Sequence, residues 1–221
     1  MKSVLVTGGT VRLGKAIAAR LRAEGWRVIT SSHRADAGAD IVADLAEPMG
    51  PAKLYAAALQ LLDGTPPEAL VNNAALFTGD AAAIAAVNLE APKKLTMMMA
   101  GRETGMGAVV NILDAKAELV ISDKRRDAAS PLKSAYLDSK SELRAFTRSA
   151  AAIFAATLRV NGVAPGPVMA PTGVHEKAGE MLLDRRPTAD DVAAAVSYLL
   201  DAEATTGAVI PVDAGQHLLE A

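Results

Sequence analysis

The chain has 221 residues, 51% of them apolar, and a formal net charge of −2. This length and composition predict one globular domain over residues 1–221, and the nearly balanced charge argues against a nucleic-acid or anionic-membrane partner. The absence of cysteine excludes disulfides, thiolate metal sites and cysteine nucleophiles, and the three histidines show no metal-ligand spacing. The residue content therefore gives no reason to expect a metal site. No apolar segment has the length of a signal peptide or a membrane span, so we expect a cytoplasmic protein.

Short apolar runs alternate with longer helical patterns along the chain. Strands are predicted at residues 3–7, 26–32, 39–45, 69–75, 108–114, 158–165 and 208–215, and helices at residues 12–25, 51–64, 80–100, 134–156 and 188–201. Strands separated by helices pair in parallel through right-handed crossovers, so we predict an α/β fold: a single doubly wound Rossmann domain with a mostly parallel seven-stranded sheet. Ligands bind such sheets at the carboxyl ends of the strands, which makes the residues after each strand the candidate site.

The segment GGTVRLGKA, residues 8–16, follows the first strand. Gly9, Gly14 and Lys15 fit the nucleotidase pattern G-x-x-x-x-G-K, but Ala16 stands where that pattern needs a Ser or Thr hydroxyl for magnesium. The alternative is a dinucleotide-binding turn, whose glycines let the backbone approach a phosphate at the helix N-terminus. A tight turn without any ligand is a third interpretation, so later segments must decide.

Three later segments carry candidate chemistry. In YLDSK, Tyr136 and Lys140 lie four residues apart on one helix face, and a nearby ammonium would favour the phenolate, so we expect a lowered pKa for Tyr136. The segment VNNAA follows the fourth strand, where its two amides can hold loops and a cofactor. The segment VAPG follows the sixth strand, where the nicotinamide end of a dinucleotide would lie. A surface Tyr and Lys at this spacing also occur by chance.

Taken together, these segments resemble the short-chain dehydrogenase/reductase family over nearly the whole chain. The family's motifs occur in its order: T-G-x-x-x-x-x-G, an Asp-Leu pair, N-N-A, a helical Asn, Y-x-x-x-K and P-G. The resemblance implies a dinucleotide-dependent reductase, which removes the nucleotidase interpretation. It implies catalytic roles for Tyr136, Lys140 and Asn88, with Asn88 holding a water of the proton relay. It implies cofactor contacts from Gly8, Arg12, Leu13, Gly14, Asp44, Leu45, Asn73, Ala74, Lys140, Pro165 and Gly166.

Two departures from the family pattern and one aromatic residue indicate a branch. Arg12 replaces the usual middle glycine, Asp114 replaces the usual catalytic Ser, and Phe77 follows N-N-A. This combination resembles the pteridine reductases, including bacterial dihydromonapterin reductases. There the Phe stacks on the pterin, the Arg reaches cofactor phosphate and substrate, and the Asp assists the Tyr in proton delivery. Purely structural alternatives stay open: a core position for Phe77, an exposed helix position for Arg12 and a loop cap for Asp114.

Residues 115–133 form a charged insertion between Asp114 and the catalytic Tyr. Asp123 and Asp127 within it compete with Asp114 for the acidic role. We favour Asp114 because it directly follows a strand, and rigid elements hold site groups accurately. Ala75, where pteridine reductases often have Ser, counts against the branch.

The end of the second strand predicts the cofactor. NAD sites place an acid there, whereas an Arg accommodates the 2′-phosphate of NADP. The chain reads SSHR, so Ser31, Ser32 and Arg34 can hold a phosphate, and the first carboxylate comes only at Asp36. We therefore predict NADPH, with Ser32, His33 and Arg34 in the cofactor site.

The combined hypothesis is NADPH-dependent reduction of a dihydropterin C=N bond, with Tyr136, Lys140 and Asp114 delivering the proton. The alternatives are a carbonyl reductase for an oxoacyl or sugar substrate and a noncatalytic NADPH-sensing protein. We expect a small-molecule substrate and a homo-oligomer, a dimer or tetramer, packed through the apolar helices at residues 80–100 and 134–156.

Overall fold

The computed structural model describes residues 1–103, 105–117, 131–169 and 181–219, with the side chains of residues 131–134 outside this description. Seven strands form one sheet in the order β3-β2-β1-β4-β5-β6-β7, and all six pairings are parallel. The strands are β1 Ser3–Thr7, β2 Arg27–Ser32, β3 Ile41–Val42, β4 Ala69–Asn72, β5 Gly107–Ile112, β6 Leu158–Pro165 and β7 Val209–Val212. The predicted Rossmann-type sheet is confirmed.

Helices cover both faces of this sheet. They are α1 Arg12–Ala23, α2 Gly50–Leu61, α3 Ala81–Ala85, α4 Ala91–Ala100, α5 Pro131–Ile153 and α6 Ala189–Asp201, with 3₁₀ turns at Ala35–Ala37 and Gln216–Leu218. The helix predicted at residues 80–100 is divided, because a π-helical turn, Ala86–Glu90, joins α3 to α4. Such single π turns are frequent at functional sites. None of the described helices has the length and apolar content needed to cross a membrane.

The core lies in two layers on opposite faces of the sheet. Along β1, Val4 and Val6 face α1 and α6, whereas Leu5 faces the layer of α2, α4 and α5. All five residues of β1 are buried, which is why this strand reads as a continuous apolar run. Several predicted strands are shorter than expected, and β4 ends at Asn72 where the sequence predicted residue 75. β3 keeps only two residues at the sheet edge, and β7 ends before Ala214 and Gly215, both of which have positive φ.

The strand order positions the site. From β1 the chain proceeds outward to β2 and β3, then returns to β4 on the other side of β1. In doubly wound sheets, ligands bind at the carboxyl ends of the strands where the strand order reverses in this way, beside the loops after β1 and β4.

Candidate active site

The glycine turn between β1 and α1 is packed against the loop after β4. Gly8 has φ +62°, and a Cβ on Gly14 would lie 2.1 Å from the Gly8 carbonyl oxygen and 2.5 Å from Asn73 Nδ2. Any residue other than glycine at position 14 would therefore force the backbone of Gly8 to move. Among the described residues, no side chain caps α1 at Val11, and the first turn of α1 has no acid. The N-terminal amides and their positive potential are thus suited to an anion such as a phosphate.

Arg12 begins α1 in a conformation that normally favours glycine. Its φ is +48°, in the left-handed region, and its side chain is exposed. Backbone of this kind in a non-glycine residue is uncommon and concentrates at ligand sites. The next residue, Leu13, is half-buried against the core layer of α1 and α6. The structure therefore agrees with an exposed Arg12 beside the glycine turn.

Asn73 and Thr7 lock the two loops of the crevice together. The Thr7 hydroxyl accepts the N–H groups of Asn73 and Ala74, each at 3.0 Å. The Asn73 side-chain amide donates to the carbonyl oxygens of Thr7 at 2.9 Å and Gly8 at 3.1 Å. Asn73 therefore holds the glycine turn in place through the carbonyl groups of Thr7 and Gly8. Its motif alone did not indicate this structural role.

The end of β2 carries an ion pair that the sequence did not suggest. Ser32 is half-buried, and His33 and Arg34 are exposed. The Arg34 guanidinium donates to Asp36 from Nε at 3.0 Å and from Nη2 at 2.6 Å. The Arg34 main-chain N–H donates to Ser32 Oγ at 3.1 Å. The predicted phosphate-binding Arg is therefore already engaged by a carboxylate.

The remaining predicted cofactor residues lie after β3 and β6. Asp44 is exposed and its Oδ1 accepts the Ala46 N–H at 2.8 Å, whereas Leu45 is buried in the core layer of α2, α4 and α5. Pro165 ends β6, and a Cβ on the following Gly166 would lie 2.5 Å from Asp213 Cβ. The glycine at this position is therefore required by close packing against the end of β7.

Tyr136 and Lys140 of α5 meet Asp114, which follows β5. The Tyr136 hydroxyl donates to Asp114 Oδ2 at 3.0 Å. Lys140 Nζ donates to the Ile112 carbonyl oxygen at 2.7 Å and lies 5.9 Å from the centroid of the Tyr136 ring. Asp114 Oδ1 also accepts the Lys116 N–H at 2.8 Å, so Asp114 is both a loop cap and a partner of the tyrosine. The competing acids Asp123 and Asp127 lie outside the described residues.

Burial governs the ionisation of these three groups. It raises the pKa of Asp114, and it lowers the pKa of Lys140 to about 8. Burial, followed by the charge of Asp114 and the hydrogen bond to it, raises the pKa of Tyr136 well above its usual value. The expected lowering of the Tyr136 pKa is therefore wrong, because desolvation and a neighbouring carboxylate both oppose the phenolate.

The aromatic ring of Phe77 packs against that of Tyr136. The two centroids lie 4.7 Å apart and the rings are tilted by 55°. The side chain of Phe77 is 48% exposed, so Phe77 is not a core residue. Its outer face is open at the rim of the site.

Asn88 lies in the π-helical turn and connects three elements. Its Oδ1 accepts the Leu76 N–H at 2.8 Å, and its Nδ2 donates to the Leu76 carbonyl at 2.9 Å and to Ser139 Oγ at 3.2 Å. Ser139 in turn donates to the Tyr136 carbonyl oxygen at 2.6 Å. Sequence reasoning overlooked Ser139, although its place beside Lys140 in YLDSK was an available signal. The role of Asn88 in holding a water stays a prediction.

The family model described as Enoyl-(Acyl carrier protein) reductase matches residues 12–217. The chain belongs to the short-chain dehydrogenase/reductase family. A solved structure of FolM alternative dihydrofolate reductase 1 from Brucella canis, complexed with NADP, is 30% identical to this short-chain reductase. It has a TM-score of 0.81, with 98% of this chain and 94% of that chain covered.

Two further relatives show the breadth of the family. A blue fluorescent protein from a metagenomic library, in complex with NADPH, is 27% identical with a TM-score of 0.83 and 97% coverage of both chains. The "Granaticin polyketide synthase putative ketoacyl reductase 2" of Streptomyces violaceoruber is 31% identical over 97% of this chain and 96% of its own length. Within the described residues, no group of His, Asp or Glu side chains could hold a metal ion.

Proposed function

We propose that this short-chain reductase uses NADPH to reduce a dihydropterin-type C=N bond. The observation that carries the proposal is the hydrogen bond from Tyr136 to Asp114, a carboxylate where most of the family has a hydroxyl. A carboxylate beside the proton donor favours positive charge on a ring nitrogen, which a C=N bond develops on protonation and a carbonyl substrate does not. The NADP-bound FolM structure, a dihydrofolate reductase by its description, supports the same assignment.

The glycine turn supports NADPH as the cofactor. The tight glycine turn, in which Gly14 lies against Gly8 and Asn73, and the uncapped start of α1 suit a pyrophosphate, and two similar solved proteins contain NADP or NADPH. Around it, Arg34 and Ser32 would hold the 2′-phosphate, and Lys140 would bind the nicotinamide ribose. When bound, NADPH supplies the hydride. The protein's contribution is to orient the reactants and to move the proton.

Tyr136 is the proposed proton donor. An ordinary tyrosine is protonated at neutral pH, and Tyr136 is the more so because its pKa is raised, so the hydroxyl has a proton to deliver to the ring nitrogen, directly or through a water. In the free protein Asp114 accepts the hydrogen bond from this hydroxyl. On transfer the proton leaves that bond for the ring nitrogen, and the charge of Asp114 stabilises the protonated nitrogen. Positioned proton transfer of this kind contributes about 10²–10⁴-fold to a rate. Asn88 is proposed to hold the relay water.

Phe77 and Arg12 are the proposed substrate-binding residues. The exposed ring of Phe77 borders Tyr136, so a flat heteroaromatic ring stacked on Phe77 would lie within reach of the proton donor. Arg12 is exposed beside the glycine turn, from which it would reach the cofactor phosphate and the substrate.

A carbonyl reductase is the second candidate. It is favoured by the ketoacyl reductase relative, which is covered over 96% of its length. The same Tyr136 and Lys140 serve that reaction, but it gives no task to the exposed ring of Phe77 or to the charge of Asp114.

We further propose that residues 1–221 form one domain of a cytoplasmic homo-oligomer. The helices α4 and α5 are the proposed subunit contacts, and the half-exposed Met97 of α4 supports this assignment.

Substrate assays test the proposed function. NADPH oxidation is measured with dihydropterins, dihydrofolate, 3-oxoacyl thioesters, sugars and simple ketones. A pterin reductase has its highest kcat/KM with a dihydropterin or dihydrofolate. A higher kcat/KM with an oxoacyl thioester or a sugar assigns the chain to the carbonyl reductases, and tight NADPH binding without turnover of any substrate assigns it to NADPH sensing.

A further inference from the structure

The guanidinium of Arg34 is held by a carboxylate two residues further along the chain. Both contacts to Asp36, at 3.0 and 2.6 Å, use the Nε–Nη2 edge of the guanidinium. This paired geometry is the one that also recognises phosphate oxygens. A 2′-phosphate drawn to Arg34 therefore meets a guanidinium that is already engaged by an anion.

The local backbone favours this ion pair in the free protein. Asp36 lies in the 3₁₀ turn Ala35–Ala37, which ends at Gly38 with φ +65°, and the Arg34 N–H is tied to Ser32 Oγ. The loop that the pair closes is very short, so little chain entropy is lost when it forms. The hydrogen bond and charge of Arg34 lower the pKa of Asp36, so its carboxylate is ionised at neutral pH.

We propose that Asp36 is a specificity-determining residue, which competes with the 2′-phosphate of NADPH for Arg34. This inference rests on the proposed role of Arg34 in holding that phosphate. A 2′-phosphate that takes the Nε–Nη2 edge must open the pair, whereas NADH has no 2′-phosphate and leaves the pair intact. Arg34 raises the affinity for NADPH relative to that for NADH, and Asp36 makes this difference in affinity smaller.

The expected size of the effect follows from the exposure of the pair. Both side chains are exposed, and ion pairs in such positions change equilibria by a few-fold, about two- to fivefold. Salt screens exposed charges, so the effect should shrink as ionic strength rises.

A double-mutant cycle on cofactor affinity tests the proposal. Dissociation constants for NADPH and NADH are measured from nicotinamide fluorescence for the unaltered protein, Asp36→Asn, Arg34→Ala and the double variant. Asp36→Asn should lower the dissociation constant of NADPH about two- to fivefold and leave that of NADH unchanged. When Arg34→Ala is already present, adding Asp36→Asn should change neither the NADPH nor the NADH dissociation constant. Asp63→Asn, on the exposed residue after α2, removes the same charge elsewhere and should leave both constants unchanged.

Each other outcome has a distinct meaning. Equal tightening of NADPH with and without Arg34 shows simple repulsion by Asp36 and overturns the competition. If Asp36→Asn weakens NADH binding, Asp36 holds the ribose of the cofactor. That result also overturns the proposed competition for Arg34. If Arg34→Ala weakens NADPH binding but Asp36→Asn changes nothing, Arg34 holds the phosphate and the competition alone is wrong. If Arg34→Ala leaves NADPH affinity unchanged, the proposed role of Arg34 is itself wrong.

Discussion

The hydroxyl of Tyr136 and the carboxylate of Asp114 are joined by a 3.0 Å hydrogen bond between α5 and the end of β5. The two residues are 22 positions apart, and residues 118–130 between them lie outside the described part of the chain. The contact ties the Tyr136 hydroxyl to the segment that follows β5. It also adds to the upward shift that burial causes in the pKa of Tyr136.

Substitution of Asp114 tests the proposed proton delivery. Asp114→Asn keeps the shape and removes the charge, and we expect kcat to fall at least about tenfold, or about 1.4 kcal/mol. The loss should grow with pH, because a free imine is least protonated there and most needs the carboxylate. Tyr136→Phe should lower kcat while the dissociation constant of NADPH is nearly unchanged.

The competing acids provide the control for this prediction. Asp123→Asn and Asp127→Asn should leave kcat close to that of the unaltered protein. A large loss in either, with Asp114→Asn active, would place the acid in the insertion. If all three variants are active, the charge has no catalytic task and carbonyl reduction becomes the better assignment.

The buried ammonium of Lys140 should make folding stability depend on pH. Its pKa is about 8 in the folded protein and about 10.5 when exposed. Between these values the unfolded chain binds more protons at Lys140, so the free energy of unfolding should rise with pH from about 8 to 9.5, by up to about 1.4 kcal/mol per pH unit. Nearer pH 10 the unfolded tyrosine ionises and opposes the rise, because the pKa of Tyr136 is raised in the folded protein. Urea unfolding of the cofactor-free protein at several pH values measures this slope.

Lys140→Met removes the titrating group and should abolish the rise. Lys53→Met, at an exposed position of α2, is the matched control and should keep it. A rise of the same slope in Lys140→Met would mean that another group titrates in this range.

Replacement of Phe77 separates a substrate contact from a structural one. Because the side chain is 48% exposed, Phe77→Ala should unfold at nearly the same urea concentration as the unaltered protein. We expect kcat/KM for a dihydropterin to fall about 2- to 12-fold, the equivalent of an aromatic contact of about 0.5–1.5 kcal/mol. The NADPH dissociation constant should not change, and Phe77→Tyr should retain most activity. Large destabilisation of Phe77→Ala would instead make the residue structural.

Ser139 should contribute to stability through its position between Asn88 and Tyr136. Ser139→Ala removes a buried partner of the Asn88 amide and a partly buried bond to the Tyr136 carbonyl, and we expect a loss of about 1–3 kcal/mol in the free energy of unfolding. Ser149 donates to the Ala145 carbonyl on the exposed side of the same helix, so Ser149→Ala should change stability little. Equal effects in the two variants would contradict the bridging role of Ser139.

The sequence by itself determined the parallel sheet and the strand ends at which the candidate site residues lie. Apolar strands separated by amphipathic helices leave few alternatives to a parallel doubly wound sheet, so the strand ends could be located without coordinates. The four-residue spacing of Tyr136 and Lys140 fixed their common helix face. The glycine motif fixed the close approach at Gly14. These are local constraints, expressed by residues near each other in the chain.

Only the tertiary structure decided how the side chains are paired and charged. The bond from Tyr136 to Asp114, the bridge from Asn88 to Ser139 and the direction of the Tyr136 pKa shift all depend on which groups from distant segments meet, and on how much water they lose. The exposure of Phe77 was decided in the same way. Burial and long-range contacts are properties of the whole packed chain, which is why motif spacing identified these residues and left their ionisation and partners open.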